Sequence, residues 1–493
     1  MTGHSSGPAS RRRPAQDRRR SAHGQGGRKR NGNQRNRPDG RLPRNAPPLQ
    51  LQISHVGARG DGVGRANYTN HYRTADHNVF VPATLPGEDI LAQPLSLTAQ
   101  GIRCVPQEIL TPSPERRDPD CDAFPACGGC TFQHWQDEPV TRWKRTQLDS
   151  FLQRENISPA HHLDPHISPR NSRRRATFHL KRLASGVAAG FLERGSSHII
   201  TPAGCSVLRP ELAALLPALA ECAGRHFPLG ITIDAAANCL DNGICLLLRG
   251  PEGWHDGLLE SLATWADGKG LARLSVAEDT GHAAPQNLSG TVALTIYAPT
   301  PPRLAIGGID IAPPPGAFLQ ATSEAESVMQ ADIARFAADA GLAPSARILD
   351  LYAGCGTLGL PLLASGAQVL AAESDADALA ALKAGVDAAG YGAQLTIRQT
   401  DLANAPLTGE TLPPADLAII DPPRSGAAAQ IAALVDAPAA PQRIAMVSCN
   451  PASFARDAAA LVAGGYVFDR LRMIDQFRFA PHVELVAGFV RQD

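Results

Sequence analysis

Two groups of residues in this 493-residue chain have the types and spacing to do chemistry. The first centres on Cys449 in "RIAMVSCNPASFARD", residues 443–457. An apolar run that reads as a buried strand stops at Ser448, Cys449, Asn450 and Pro451, and a helical pattern follows. Strand-to-helix turns at the carboxyl edge of a parallel sheet are where open α/β folds bind and react. A thiol there feels the partial positive charge of the helix start, which favours thiolate. A free Cys is as often a small hydrophobe filling a gap, and this stretch alone does not choose. The second group is Cys121, Cys127 and Cys130 in "CDAFPACGGCTFQH", spaced C-x5-C-x2-C. Two glycines between the last two thiols let the backbone wrap closely, and Cys205 in "HIITPAGCSVLRP" is the best candidate for a fourth ligand. Zinc and iron–sulfur clusters both accept four thiolates, and the spacing leans only weakly towards iron–sulfur. It argues against a radical enzyme, whose C-x3-C-x2-C run is absent.

A third stretch reads as a cofactor loop. "LDLYAGCGTLGL" sets Gly354 and Gly356 between a strand and a helix, where backbone must approach a ligand. Glu373 ends the next apolar strand and could accept from ribose hydroxyls. Asp401 ends the strand after that and could meet an adenine amine. G-x-G-x-x-G is literally present through Gly359, which would suit a nicotinamide, but the later motifs suit S-adenosylmethionine better. "DPPRSG" at 421–426 follows a strand, and its prolines would stiffen a wall beside the transferring group, with Asp421 and Arg424 flanking them. Cys355 in the glycine loop reads as packing, and Cys104, Cys222, Cys239 and Cys245 have no suggestive spacing.

Three folded regions must position these groups. From 49 to 111, short alternating runs divided by Gly- and Asp-containing turns suggest a small antiparallel β-barrel. From 112 to 305 the pattern is mixed α+β and holds the Cys cluster and the basic stretch "SPRNSRRRATFHLKR". From 306 to 493 strands and helices alternate as in a doubly wound, largely parallel sheet. Residues 1–48 carry twelve Arg and one Lys against Asp17 and Asp39, a balance of +11, so the rest of this formally neutral chain carries −11. That head has too few apolar residues for a core and is expected to be disordered. A basic arm implies an anionic polymer, hence nucleic acid. No apolar run is long enough for a membrane span, and ten cysteines without an export signal or a disulfide-like arrangement lead one to expect a reducing cytoplasm.

Taken together, "LDLYAGCGTLGLPLL", "DPPRSG", "SCNPASFARD" and "PHVELVAGF" resemble the motif series of the RNA 5-methyluridine methyltransferases. "CDAFPACGGCTFQH" with Cys205 resembles the iron–sulfur ligands of the ribosomal-RNA branch, and residues 49–110 resemble its TRAM domain. The resemblance implies a Rossmann-like class I S-adenosylmethionine methyltransferase domain, an N-terminal TRAM-like RNA-binding barrel and a central domain holding a 4Fe-4S cluster. It implies S-adenosylmethionine contacts at Gln320, Tyr352, Glu373 and Asp421, with Asp401 as a further contact, and makes Cys449 the nucleophile and Glu484 the general base. Thr322 stands where the family usually has Asn, and Arg478 and Ala480 replace a common Pro and Thr, departures that touch fine positioning. The expected function is methylation of carbon 5 of a uridine in 23S rRNA, by a monomer with no protein or membrane partner. The alternatives are the same chemistry on tRNA, or a non-catalytic RNA-binding redox sensor. A stacked uracil hides its carbon 6, so the target must lie in a loop or be flipped out. Arg173, Arg174 and Arg175 are expected to face the RNA.

Overall fold

The computed structural model describes residues 40–42, 46–69, 74–251, 253–279, 292–339, 341–342 and 344–492. Strands Leu49–Val56, Gly62–Thr69, Thr74–Val81, Asp89–Thr98 and Gly101–Thr111 close into a five-stranded barrel, because Asp89–Thr98 pairs with both Leu49–Val56 and Gly101–Thr111. Alternate residues point inwards, so Leu51, Ile53, Val79, Val81, Ile90 and Ile102 fill the interior. Most of the basic head lies outside the described residues. At its end the expected boundary shifts: Gly40–Arg41 pairs antiparallel with Asp89–Thr98, and Gln93 donates to the Ala46 carbonyl at 2.9 Å. Two residues can borrow the hydrogen bonds of a neighbouring strand without supplying a core of their own.

The central region is built on a seven-stranded sheet running from Ile199–Ile200 through Gly186–Leu192, Arg175–Leu183, Thr232–Leu240, Gly243–Gly250 and Arg273–Glu278 to Leu294–Tyr297. Its apolar face, with Phe178, Leu180, Ile233, Ala235, Leu246 and Leu248, packs with residues of helices Pro210–His226 and Asp256–Gly268.

The third region holds a nine-stranded sheet. Leu395–Gln399, Gln368–Glu373, Arg347–Leu351, Leu417–Ile420 and Arg443–Ser448 run parallel, and Glu484–Arg491 and Tyr466–Asp475 add an antiparallel pair. Leu417–Ile420 is buried along its whole length, as expected for a parallel strand covered on both faces. The order reverses between Arg347–Leu351 and Leu417–Ile420, which opens a crevice at their carboxyl ends. One finding departs from the division of the chain read from sequence. His161–His162 and His166–Ile167 pair parallel with Tyr466–Asp475, and Leu148 and Leu152 of helix Asp137–Arg154 sit in this domain's core. A fully buried Lys144–Asp475 ion pair, 2.7 Å long, pins that helix down. Strands two residues long carry no periodicity that a sequence could announce.

Candidate active site

Cys449 and Glu484 meet because two strands run antiparallel. Ser448 pairs with Leu485, so the next step beyond the strand end sets Cys449 opposite Glu484. The helix Pro451–Ala463 begins directly after, with Pro at its first position and the Asn450 side chain accepting from Ala452 N at 3.1 Å. The other end of the Asn450 amide donates to the Arg424 carbonyl at 2.9 Å, and Ser453 Oγ reaches the same oxygen at 3.1 Å. The turn bearing the thiol is thus stitched to the "DPPR" turn. The expectation that the helix start would favour thiolate is not met in the resting protein. Burial, then the Glu484 and Asp421 carboxyls, push the thiol up to about 11, and Arg424 opposes them only in part.

Glu484 is buried, and burial followed by the nearby Asp421 charge raises its carboxyl to about 8. Its Oε2 accepts from Gln476 Nε2 at 2.8 Å. The same Gln476 nitrogen donates to Gln320 Oε1 at 2.7 Å, and the Gln476 carbonyl accepts from Ala321 N at 2.7 Å. Gln320 Nε2 in turn lies 3.4 Å from Asp421 Oδ2. Burial raises Asp421 to about 7, with Glu373 adding to the shift. Arg174, buried and paired with Glu326, donates through Nε to the Gln320 carbonyl at 3.1 Å and so fixes that segment. Arg175 lies within electrostatic reach of both Glu484 and Cys449, and its guanidinium stacks over the exposed Phe318 ring at 4.2 Å.

The glycine loop supplies the other wall. Tyr352 takes φ +62°, Gly354 +54° and Gly356 +83°. A Cβ on Gly354 would meet nothing within 4 Å, whereas one on Gly356 would lie 2.7 Å from Leu382 Cδ1. Gly354 therefore leaves room for a ligand, and Gly356 lets the loop pack against its own domain. Gly354 N donates to Glu373 Oε2 at 3.0 Å, while Oε1 of Glu373 takes Ser374 N and Asp375 N. The Tyr352 hydroxyl is buried with no hydrogen-bond partner. Asp401 is exposed at the rim, its carboxylate accepting from Ala403 N and Asn404 Nδ2. An open glycine wall, an orphaned buried hydroxyl and acidic groups at two strand ends fit a nucleoside that carries a cationic sulfur.

The four thiols of Cys121, Cys127, Cys130 and Cys205 converge although Cys205 is far off in sequence. Cys121, Cys127 and Cys130 are pushed up, mainly by burial and also by the other thiols, Cys130 to about 12. Cys121 Sγ reaches the Gly204 carbonyl at 3.2 Å, and Arg173 sits near Cys130 and Cys205. Among the described residues no three His, Cys, Asp or Glu are gathered as tightly as a metal ion demands. A single tetrahedral zinc, with bonds of about 2.3 Å, needs sulfurs roughly 4 Å apart. Four thiols are a donor set that a four-iron cluster, taking one thiolate per iron, would accept. The loop ends by gripping the base segment: Thr131 N and Phe132 N donate to the Phe479 carbonyl at 2.6 and 2.9 Å. Phe479 itself has φ +64°, and the guanidiniums of Arg117, Arg170 and Arg478 surround its buried ring.

Known proteins with this geometry are found on three sides. Residues 414–491 match the family model for tRNA (uracil-5-)-methyltransferase, and 330–451 match the model conserved hypothetical protein 95. An RNA methyltransferase of Caulobacter vibrioides is 37% identical over 90% of this chain and 99% of its own. The 23S rRNA (uracil(1939)-C(5))-methyltransferase RlmD of Alkalilimnicola ehrlichii is 31% identical over 92% of this chain and 99% of its own. The chain belongs to the RNA uracil-5-methyltransferase family. It is an S-adenosylmethionine-dependent RNA uracil methyltransferase. The crystal structure of Pyrococcus abyssi tRNA (uracil-54, C5)-methyltransferase, in complex with S-adenosyl-L-homocysteine, shares the fold with a TM-score of 0.66 at 19% identity, covering 90% of this chain and all of that one.

For this RNA uracil methyltransferase, Cys449, Glu484, Gln320, Asp421, Tyr352, Gly354, Gly356 and Glu373 cluster along one edge of the sheet, with Asp401 at its rim. The Arg173–Arg175 triplet does not form the RNA-facing patch expected of it. Arg174 is buried in an ion pair, Arg173 lies at the four thiols, and Arg175 turns into the active site. Only Arg175 belongs to the strand Arg175–Leu183; Arg173 makes isolated bridges to Thr322 and Leu208 just before it, so each of the three side chains meets different neighbours. Gln476 and Phe318 escaped the sequence reading. A Gln directly after the Asp that ends a strand was the available signal for the first.

Proposed function

We propose that this chain methylates carbon 5 of one uridine in 23S rRNA, through a covalent bond between Cys449 and carbon 6 and with Glu484 as the base. The placement of Cys449 opposite Glu484, across paired strand ends, carries this reading. S-adenosylmethionine supplies an electrophilic methyl group, and Gln320, Tyr352, Gly354, Glu373, Asp401 and Asp421 are the residues that would hold it. Carbon 5 of uracil is a poor nucleophile. Addition of the Cys449 thiolate to carbon 6 makes the ring an enolate whose carbon 5 can accept that methyl. Glu484 then takes the carbon 5 proton, the carbon 6–sulfur bond breaks, and the thiolate is returned. The thiol must shed its proton on substrate binding, helped by Arg424, and Arg175 favours the ionised form of Glu484.

The RlmD relative, matched over nearly its whole length, supports ribosomal RNA as the substrate. The converging thiols of Cys121, Cys127, Cys130 and Cys205 support a 4Fe-4S cluster with a structural role, since methyl transfer moves no net electrons. The barrel and the basic head would grip RNA backbone, and the enzyme would work as a cytoplasmic monomer. RNA carrying 5-fluorouridine at the target tests the mechanism. Fluorine cannot leave as a proton does, so wild type should form a methylated adduct that survives denaturing electrophoresis, and Cys449→Ala should form none. A wild type that fails to trap would overturn the covalent route. Mapping 5-methyluridine in rRNA and tRNA fragments from a deletion strain tests the substrate: loss from tRNA alone would overturn the ribosomal assignment.

A further inference from the structure

Gln476 stands between the two halves of the site and touches both. Its amide has two N–H hydrogens, one directed at Glu484 Oε2 at 2.8 Å and one at Gln320 Oε1 at 2.7 Å. Its carbonyl is taken by Ala321 N at 2.7 Å. All its hydrogen-bonding capacity along these directions is used, and the side chain is buried. Turning the amide over would put its oxygen against a carboxylate and another carbonyl, so its orientation is unambiguous. That orientation sets the next one. Because the Gln320 oxygen faces Gln476, the Gln320 nitrogen must face Asp421, as it does at 3.4 Å. A directed chain of donors therefore runs from Gln476 one way to Glu484 and the other way, through Gln320, to Asp421.

We propose that Gln476 is a positioning residue that sets the base and the cofactor wall together, by aiming the Glu484 carboxylate and by fixing which end of Gln320 meets Asp421. This deepens the covalent reading and rests on it for the role of Glu484. The groups that face Glu484 come from every neighbouring element: Asp421 and Arg424 after one strand, Cys449 after the next, and Arg175 from the central sheet. Asp421 opposes ionisation, the two arginines favour it, and the Gln476 donor adds to the arginines. A donor to the charged form favours that form, so losing it moves the carboxyl further up.

Gln476→Met keeps the length and removes every hydrogen bond. The acid limb of its kcat–pH profile should move upwards by about one unit, the scale of one hydrogen bond to a charged group. S-adenosylhomocysteine, measured by calorimetry without RNA, should bind about three- to tenfold more weakly as Gln320 loses its fixed orientation. The variant should still trap 5-fluorouridine RNA, because trapping needs Cys449 and not proton removal. An acid limb and an S-adenosylhomocysteine affinity both equal to wild type would overturn the proposal, as would a folded variant that cannot trap. If wild type itself fails to trap, the covalent reading falls separately, and the RNA-free binding measurement still judges Gln476.

Discussion

Under the proposed function, the thiol of Cys449 and the four thiols of Cys121, Cys127, Cys130 and Cys205 are the same chemical group put to opposite uses. Burial is the largest cause of the upward shift at Cys449, Cys121, Cys127 and Cys130, so depth does not tell the two sets apart. Their company does. Cys449 is surrounded by groups that exchange protons or bear fixed charge: Glu484, Asp421 and Arg424. It sits on a turn held rigid by Asn450 and Ser453, so the sulfur can form a bond and release it without the backbone moving. The clustered thiols face one another, with Arg173 the cation near Cys130 and Cys205. The neighbouring thiols oppose ionisation of Cys121, Cys127 and Cys130, which a shared cationic group would relieve. In the proposed function the lone thiol among acids and bases is the reagent, and the four thiols facing each other are the fastening.

The sharpest break of this contrast is Cys449→Ala. Turnover should fall by about four orders of magnitude or more, as when a covalent nucleophile is removed, while S-adenosylhomocysteine binding stays within about threefold. Substantial residual methylation would show the thiol to be packing. Cys130→Ser should do the reverse. Iron content and visible absorbance should collapse and the thermal midpoint should drop by about 5 °C or more, with a smaller loss of turnover, on the order of tenfold, through the grip on Phe479. Stoichiometric zinc in anaerobically purified protein would replace the cluster with an ion and leave the contrast standing.

The next expected effect concerns stability and pH. The Glu484 carboxyl, at about 8 when folded against about 4.3 when unfolded, binds its proton more tightly in the native state. Its contribution to stability is complete below the unfolded value and is lost as pH climbs towards about 8. Glu484→Gln removes that loss, so the variant should gain on wild type as pH rises from about 4.3 to about 8 and hold that gain above it, by on the order of a few kcal/mol. Asp350, near 7 mainly through burial, acts in the same direction in both proteins, whereas Asp421 faces Glu484 and should ionise more easily in the variant. Parallel melting curves across that range would refute the burial argument. The smallest effect belongs to Asp401→Asn. That exposed carboxylate is engaged by its own loop, so the KM for S-adenosylmethionine should rise by less than about fivefold. A hundredfold rise would move Asp401 from the rim to the heart of the pocket.

Much of this was readable in the residues, for physical reasons that differ from place to place. Parallel strands buried on both faces announce themselves as apolar runs, so Leu417–Ile420 and Arg443–Ser448 were plain, and with them Asp421 and Cys449. Cys104, Cys222, Cys239, Cys245 and Cys355 are buried in apolar cores, as their lack of spacing suggested. What could not be read was company. Gln476 gains its role from Gln320, Ala321 and Glu484, of which two lie more than 150 residues away. The upward shift at Cys449 arises first from burial and then from the Glu484 and Asp421 carboxyls, none of which the local sequence around the thiol reveals.

The sheet that carries the active site is finished by residues made long before it. Leu148, Leu152 and Lys144 leave the ribosome far ahead of the strand Tyr466–Asp475 that will cover them. The 331 positions between Lys144 and Asp475 correspond to roughly 15–65 s of synthesis at about 5–20 residues per second. All four clustered thiols lie at or before residue 205, so a cluster of the kind proposed could be loaded while the catalytic strands do not yet exist. Birth order thus separates the two sets of cysteines in time. A chain stalled before residue 466 would leave Leu148, Leu152 and Lys144 of that helix without the strand that covers them.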